Sequence, residues 1–312
     1  MPFPQLQLGR VDEQLSNLSL MPVSAEGFIH DKILPTIPNL AQESGIIPKY
    51  GKAHLKAYSC KRDLWDENQH RIKWELDSPE RYDIEYYDIE DYIPDRLAAQ
   101  FQAPIDAHRD SMGALESIKN ETIEQSLADL MSDTSILTNN ATPATKWNAA
   151  SSTPLKDMEV AMEAVRTKIG RRPNRAVIAA NALSALTYND EIKGLVSGLR
   201  TVMTHQQVID VLKTQLGLTE ILVGSAVKNT AKDGQTDVIA DIWDEVCVFY
   251  YAPESASLKT PSFGFRFQLP NFSRVSRRRS TNDTGDMQRL EWAYQDKVMN
   301  VDASYLLYNT LT

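Results

Sequence analysis

The sequence predicts an α+β fold in which strand-forming and helix-forming stretches follow one another along the chain. Residues 82–93 alternate aromatic or aliphatic side chains with acidic ones, as a half-buried strand does. After residue 94, apolar side chains recur at steps of mostly three or four, which is the spacing of one helix face. Residues 171–240 alternate short buried strands with helices, a pattern typical of a compact α/β domain.

The length and composition are those of an ordinary globular protein. The chain has 312 residues, 42% hydrophobic and 24% charged, which suits about two domains with a sizeable core. This composition excludes a largely disordered or collagen-like chain. Lys and Arg number 33 and Asp and Glu 42, so the formal net charge is −9. Such a charge disfavours nucleic-acid binding over the whole surface, although a local basic patch remains compatible with it.

The cysteines and the apolar runs indicate a protein that folds in a reducing cytoplasm. Cys60 and Cys247 are too few for a disulfide framework or a four-cysteine zinc site, so we interpret them as reduced thiols. The sequence has no run of about 18 apolar residues, and we therefore expect no membrane-spanning helix. Residues 1–5 lack the basic and apolar regions of a secretory signal.

Residues 1–52 are predicted to form an extended N-terminal arm. Prolines occur throughout the segment and disfavour long helices and central strands, yet many of its other side chains are apolar. An arm interrupted by proline cannot bury that much apolar surface alone. We therefore expect it to lie on the body of its own chain or on a neighbouring chain.

Residues 53–77 are predicted to form a β-hairpin whose apolar face needs a partner. The second strand places Ile72, Trp74 and Leu76 on one face, and charged side chains on the other. Residues 66–68 supply turn chemistry between the strands. Because an isolated two-stranded hairpin is marginal in water, we take these three apolar residues as candidate contacts with another subunit.

The helix after residue 94 is predicted to be the spine of its domain. Pro94 and Asp95 are a typical helix start, and Pro104 is expected to end a short leading helix or to kink the main one. At 1.5 Å per residue the helix would span on the order of 40 Å. The predicted apolar stripe consists of Phe101, Ile105, His108, Met112, Leu115, Ile118, Thr122, Leu127 and Leu130.

A second helix has clear boundaries in the sequence. Thr153 is the predicted N-cap, Pro154 stands at the first helical position, and Gly170 lies where a left-handed C-terminal residue is expected. Beyond the α/β region, residues 246–251 and the alternating phenylalanines of 263–267 predict a return to strands.

A search for catalytic or metal-binding patterns finds none, so we predict no enzyme activity, no cofactor and no metal site. No two histidines are spaced as a metal pair, and no nucleophile elbow, phosphate-binding loop, dinucleotide fingerprint or EF-hand loop occurs. Residues 232–237 are acidic but lack the ligand spacing of a calcium loop, which favours a surface turn.

Two charged clusters are candidate contacts between subunits. The first is acidic and lies between Asp83 and Asp95. An acid/base pair or a cation site would use such carboxylates, but a solvated or subunit-facing edge is the favoured interpretation. The second cluster is basic and suits either phosphates or the acidic stretch of a neighbouring copy. The candidate residues are Asp88, Glu90, Asp91, Arg274, Arg277, Arg278 and Arg279.

Four short phrases follow the arm, the hairpin and the spine helix in a characteristic order. They are Trp147 with Ser152–Asp157, then Arg172–Ile178, Leu216–Gly224 and Ile242–Tyr251. This arrangement, over residues 40–312, resembles the major capsid proteins of tailed phages, the Hong Kong 97-like fold family. The order and spacing of the phrases carry the resemblance more than any one of them alone.

The resemblance implies a division of the chain and a function. It implies an N-terminal arm at 1–52, an extended hairpin loop at 53–77, a peripheral domain with the spine helix at 78–170 and 241–312, and an axial domain at 171–240. It implies a shell protein that self-assembles into hexamers and pentamers and encloses double-stranded DNA without sequence-specific binding. Scaffolding, portal and decoration proteins are the implied partners, and no membrane is involved.

The implied location is the virion capsid, assembled in the host cytoplasm. Two alternatives stay open at this point. One is an encapsulin, a nanocompartment shell of the same fold that holds a protein cargo. The other is an α/β enzyme whose catalytic groups come together only in the folded structure.

Overall fold

The computed structural model describes the two sheets, the helices and part of the N-terminal region. The described residues are 10–11, 27–37, 40, 42–48, 79–100, 107–149, 151–195, 203–232, 234–254, 260–281 and 284–311. The predicted hairpin at 53–77, with Ile72, Trp74 and Leu76, lies outside them, as does most of the predicted arm.

The described strands form two five-stranded sheets and two two-stranded sheets. The strands are β1 Arg10–Val11, β2 Thr36–Ile37, β3 Ser44–Ile47, β4 Glu80–Asp83, β5 Glu85–Pro94, β6 Asn140–Ala141, β7 Arg175–Ala179, β8 Glu220–Gly224, β9 Val227–Asn229, β10 Ile239–Asp241, β11 Cys247–Tyr250, β12 Gly264–Arg279, β13 Gly285–Val298 and β14 Ser304–Leu307. The two-stranded sheets pair β3 with β4 and β9 with β10. The helices are α1 His30–Ile33, α2 Asp95–Gln100, α3 Ala107–Ser132, α4 Pro154–Ile169, α5 Ala180–Tyr188, α6 Asp190–Leu195 and α7 His205–Leu216, and Val301–Ala303 forms a 3-10 turn.

The first sheet, here called the long sheet, has the strand order β1-β12-β13-β5, and β2 pairs with β12 beside it. Strand β13 was not predicted from the sequence. It buries Leu290, Trp292 and Tyr294 in one cluster and Ala293, between the last two, in another. The pairing of β12 with β13 changes register between Gln268 and Ser273. Pro270 lies in this interval, where the missing backbone N–H of proline is tolerated.

The spine helix α3 crosses from one hydrophobic core to the other. Its first half packs Met112 and Leu115 against Val275 and Leu290 of the long sheet. Its second half contributes Leu127, among others, to the larger core. At 1.5 Å per residue, a helix of 26 residues is about 39 Å long, enough to connect both cores.

The predicted apolar stripe of the spine helix is wrong at Ile118. This side chain is 43% exposed, and the buried stripe passes through Lys119 and Ile123 instead. Lys119 is buried together with Glu116, to which it forms an ion pair of 2.7 Å. The helical spacing was therefore correct, but charged residues occupy positions on the buried face.

The second sheet, here called the central sheet, has the order β6-β14-β11-β7-β8 and lies within the larger core. Its strands come from both of the predicted domains, since β7 and β8 fall within 171–240 while the other three fall outside. Helix α4 packs on β14 and β11, and α5 packs on β7 and β8.

Helix α4 has the predicted boundaries but a different N-terminal cap. The side chain of Thr153 makes no capping hydrogen bond. Instead, Glu191 accepts a hydrogen bond of 2.9 Å from the backbone N–H of Leu155 in the first turn. At the other end Gly170 is left-handed, with φ of 72°, as predicted.

The strands on either side of the predicted extended loop form a two-stranded sheet, here called the stem. Strands β3 and β4 are antiparallel, and Ile47 is directly paired with Glu80. Tyr82 of the stem stacks on Phe267 of the long sheet, with ring centroids 5.0 Å apart. A Cβ at Gly45 would lie 2.6 Å from the Tyr82 ring, so glycine lets the stem close over this tyrosine.

Membrane-spanning and metal-binding features were also searched among the described residues. Within that part of the chain, no helix has the length and apolar character to cross a membrane. The same residues contain no group of three or more His, Cys, Asp or Glu side chains placed to hold a metal ion.

Candidate functional site

The two charged clusters predicted from the sequence meet within one chain. The acidic residues lie on β5 and the basic residues on β12, and β13 pairs with both strands. The register places Arg274, Glu291 and Asp88 side by side across the three strands. Because side chains at paired positions share a face of the sheet, acid and base come within contact distance there.

One face of the long sheet carries a connected network of ion pairs. Arg278 reaches over β13 to Glu90, with Nη2 3.0 Å from Oε2. Arg289, in the middle strand, lies 3.0 Å from Asp88 and 3.2 Å from Glu291. Arg274 also pairs with Glu291, its Nε donating over 3.0 Å. The network alternates in sign, so the charges of this face largely neutralise one another.

A second group of ion pairs lies at the end of the long sheet, beside helix α2. Arg277 donates to Asp286 over 2.5 Å, and Arg279 binds both Asp286 and Asp95. The hydrogen bonds from Arg279 lower the pKa of Asp95 below its ordinary value. Asp95 opens α2, so this pair connects the start of that helix to the end of β12.

Asp91 differs from its neighbours in the acidic cluster. Its carboxylate accepts a hydrogen bond of 2.5 Å from the hydroxyl of Ser111 on the spine helix. Ser111 is buried, so this contact belongs to the packing of the helix on the sheet.

The arrangement is that of an ion-paired surface. Arg274, Arg278 and Arg279 remain about half exposed in these pairs, so they are also accessible to a neighbouring subunit. Isolated exposed pairs contribute little to stability, whereas a network fixes side-chain positions more firmly. The contact of these residues with another subunit stays a prediction.

Sequence reasoning missed two buried polar pairs. Arg266 is 1% exposed and donates two hydrogen bonds of 2.7 Å to Asp296. Glu124 is fully buried and accepts a hydrogen bond of 2.5 Å from the indole of Trp243. A signal was present for the first pair, since Arg266 stands between two phenylalanines that were predicted to alternate in a strand.

One of the short sequence motifs behind the resemblance, Arg172–Ile178, contains a residue that connects three strands. The side chain of Asn174 binds both the carbonyl and the N–H of Ala252, at 2.7 and 2.9 Å. Its own carbonyl accepts from Thr219 over 2.8 Å. Asn174 therefore joins the starts of β7 and β8 to the end of β11.

The chain is similar to phage shell proteins, although no protein-family model matches it. It is 28% identical over 307 residues to the "Major capsid protein" of Burkholderia phage BcepMu, covering 95% of each chain. The crystal structure of a phage-related protein from Bordetella bronchiseptica RB50 matches with a TM-score of 0.74 and 25% identity, over 97% of this chain and 99% of that one.

A more distant match shows the fold alone. The capsid structure of Cyanophage P-SCSP1u has a TM-score of 0.59 and 13% identity, over 91% of this chain and 89% of that one. The resemblance found in the sequence is thus confirmed: the chain is a relative of phage major capsid proteins and has the mixed helix-and-sheet fold of phage capsids.

Proposed function

We propose that this chain is the major capsid protein of a phage and assembles with copies of itself into the icosahedral shell around a double-stranded DNA genome. The observation that carries the proposal is its similarity, over 95% of both chains, to the major capsid protein of Burkholderia phage BcepMu. The coverage of both chains matters because a relative that matches over nearly its whole length would have counterparts of the arm, the loop and both sheets.

The stem of β3 and β4 supports an extended loop that reaches a neighbouring subunit. Ile47 and Glu80 are directly paired, so residues 48–79 begin and end at adjacent points of the structure. Strand β4 is also attached to β13, since Asp83 donates its N–H to Gln295 over 2.8 Å and Lys297 pairs with Glu80 at 3.1 Å. A firmly mounted stem suits a loop whose apolar face is buried by another copy.

The finer parts of the proposal concern the assembly. Hexamers and pentamers are the units, with a peripheral domain at 78–170 and 241–312 and an axial domain at 171–240. Closed shells use heterologous contacts, in which different surfaces of identical subunits meet. The partners are a separate scaffolding protein, a portal and decoration proteins, and the shell assembles in the host cytoplasm and encloses DNA without reading its sequence.

The ion-paired face of the long sheet is the proposed site of charged contacts between subunits. Its arginines are exposed on one side and already aligned by their own carboxylates. An arginine could therefore exchange the carboxylate of its own chain for one of a neighbouring subunit by side-chain movement alone. The proposed contact residues in the two charged clusters are Asp88, Glu90, Asp91, Arg274, Arg277, Arg278 and Arg279. The proposed apolar contacts in the predicted loop are Ile72, Trp74 and Leu76.

The test is to express the chain alone and together with neighbouring genes and to examine the products by negative-stain electron microscopy. Closed shells tens of nanometres across support the proposal, and a small uniform oligomer in every condition would refute it. Double-stranded DNA inside particles identifies a phage head. A protein cargo would instead identify an encapsulin.

A variant without the predicted loop distinguishes a defect in assembly from a defect in folding. Residues 48–79 are replaced by a two-residue Asn-Gly turn, which suits the directly paired Ile47 and Glu80. We expect a folded subunit that forms no shells. Normal shells from this variant would show that the loop is not an assembly contact.

A further inference from the structure

Residues 27–37, here called the strap, lie between the long sheet and the central sheet. Ile33 and Leu34 of the strap are buried in the larger core, and β2 at its end pairs in parallel with β12. The strap belongs to the predicted N-terminal arm of residues 1–52, and residues 1–26 of that arm precede it. The strap therefore connects residues 1–26 to both halves of the subunit.

Glu124 of the spine helix attaches the strap to the larger core. Its Oε2 accepts hydrogen bonds from the backbone N–H groups of Ile29 and His30, at 3.0 and 2.8 Å. These N–H groups lie at the start of α1, where a helix has no internal acceptors for them. The other carboxylate oxygen accepts from Trp243, so one buried side chain binds the strap and the core together.

Arg266 attaches the strap to the long sheet. Its guanidinium is held by Asp296, and Nη1 lies 3.2 Å from both Asp31 Oδ1 and His30 Nδ1. The backbone N–H of Arg266 donates to the carbonyl of Pro35 over 3.1 Å. The side chain of Arg266 therefore binds the strap at residues 30–31, and its backbone binds the strap at Pro35.

Two further contacts hold the strap against the central sheet. Arg175, at the start of β7, donates to the carbonyl of Lys32 over 2.7 Å. Gly27 has a φ of 105°, and a Cβ there would lie 2.9 Å from the hydroxyl of Ser225, just after β8. The strap is therefore in contact with the spine helix, the long sheet and the central sheet within eleven residues.

The buried charges make partial release of the strap unfavourable. If the strap left, Glu124 would keep only the indole of Trp243 among the donors named here, and Arg266 would keep only Asp296. A buried carboxylate that loses hydrogen-bond donors carries a large desolvation cost. Intermediate positions leave these groups unsatisfied, so a partly released strap is less favourable than a docked strap or a released one in which water reaches the buried charges.

We propose that the strap is a conformational device: docked, it fixes the placement of the long sheet relative to the central sheet, and released, it lets the two sheets move apart. Residues 1–26 of the arm precede the strap, and β1 within them pairs with β12 of the long sheet. A partner that displaces these residues therefore acts on the strap and on the angle between the sheets. In the shell proposed above, this couples the position of the arm to the shape of the subunit.

The test measures the placement of the sheets in unassembled full-length subunits, so its outcome does not depend on shell formation. Spin labels are attached at Tyr86→Cys on β5 and Val160→Cys on α4, two exposed positions, in a Cys60→Ser background. The change is Glu124→Gln, which leaves a donor where an acceptor is needed. The control is Asp129→Asn, an exposed carboxylate of the same helix that accepts a hydrogen bond from Gln125.

Glu124→Gln is expected to broaden and shift the distribution of distances between the labels, and the control to leave it unchanged. Hydrogen exchange should rise about tenfold or more at residues 29–30 and 36–37 together. An unchanged distance distribution, or faster exchange confined to residues 29–30, would overturn the proposal.

A second variant covers the case in which Glu124→Gln does not fold. Gly27→Ala combined with Arg175→Met weakens the contacts of the strap with the central sheet, and it also removes the ion pair of Arg175 with Glu220. The same broadening of the distance distribution is expected in this variant. A distribution identical to that of the unaltered subunit would contradict the proposed role of the strap in fixing the placement of the sheets.

Discussion

The indole N–H of Trp243 donates a 2.5 Å hydrogen bond to the carboxylate of Glu124, and neither side chain is exposed to solvent. The two residues are 119 positions apart in sequence. Trp243 precedes β11, and Glu124 lies on the spine helix between the two cores. This contact therefore joins the central sheet to the helix that also supports the long sheet.

Removing the indole donor should destabilise the subunit. Trp243→Phe keeps most of the ring and leaves one oxygen of a buried carboxylate without its partner. A group left unsatisfied in this way costs about 1–3 kcal/mol, to which the lost ring volume adds. The measurement is the free energy of unfolding of unassembled subunits in urea.

Trp292→Phe is the matched control for this change. Trp292 is also buried, but its indole nitrogen has no hydrogen-bond partner among the described residues. The control should therefore lose only the packing contribution and be less destabilised than Trp243→Phe. Equal losses in the two variants would contradict the role assigned to the bond.

Gly224 is required by the position of Trp243. A Cβ at Gly224 would overlap the indole ring. Gly224→Ala should therefore destabilise the subunit by about 1–3 kcal/mol, the usual cost of overpacking a core. Gly113→Ala on the spine helix is the control, since a Cβ there meets nothing within 4 Å.

Gly113→Ala should raise the free energy of unfolding by about 0.5–1 kcal/mol, because alanine is the better helix former. The two glycine substitutions should therefore change the free energy of unfolding in opposite directions. Urea unfolding midpoints measure both changes. A stabilised Gly224→Ala variant would show that the indole moves aside at little cost.

Arg277 and Arg278 provide a test of the charged face in assembly. Replacing both by Gln removes the pairs with Asp286 and Glu90 without placing like charges together. Since exposed pairs contribute about 0–1 kcal/mol each, the subunit should remain folded. If the face also contacts a neighbour, the yield of shells in electron micrographs should fall.

The more severe change, reversing both arginines to Glu, should impair assembly as well. The structure adds that each new carboxylate would lie beside Asp286 or Glu90, so unfolding must be measured alongside assembly. A normal yield of shells from either double variant would remove these residues from the list of contacts.

Asp95 makes the end of the long sheet sensitive to acid. The hydrogen bonds from Arg279 hold its pKa below the ordinary value of 3.8. A carboxyl with a lowered folded-state pKa contributes stability above its unfolded-state pKa, and the contribution is lost as the pH falls through the folded-state pKa. The Asp95–Arg279 pair should therefore persist at neutral pH and weaken at pH values below 3.8.

Asp95→Asn is the variant that checks this pH dependence. It should be less stable than the unaltered subunit at neutral pH, and the difference should narrow as the pH falls from about 5 to about 2. Urea unfolding across this range gives both curves. A difference that is constant with pH would mean that the carboxyl charge does not stabilise the fold.

The periodic parts of the fold were predictable from the sequence. Helix α4 ends at Gly170 as expected, because a left-handed residue after the last turn is a local feature of the chain. Strand β11 follows from a run of apolar residues that only a buried strand accommodates. The resemblance to phage capsid proteins rested on such local phrases, and the comparisons confirmed it.

The parts that depend on distant partners were not predictable. Thr153 looked like a cap, but Glu191 from another helix supplies the acceptor. Ile118 fitted the apolar period of the helix, but the buried position next to it is occupied by Lys119, which forms an ion pair with Glu116. The pairing of Arg278 with Glu90 joins residues 188 positions apart, a separation that no periodic pattern reveals.

The position of β14 has a consequence for the time at which a subunit becomes functional. This strand lies between β6 and β11, inside the central sheet, although residues 304–307 are synthesised after every other strand of that sheet. On the ribosome, β11 therefore keeps an unpaired edge until the last strand emerges. A nascent chain therefore cannot complete the sheet on which α4 and α5 pack until residues 304–307 have emerged, and a copy that stops before them lacks an internal strand of that sheet.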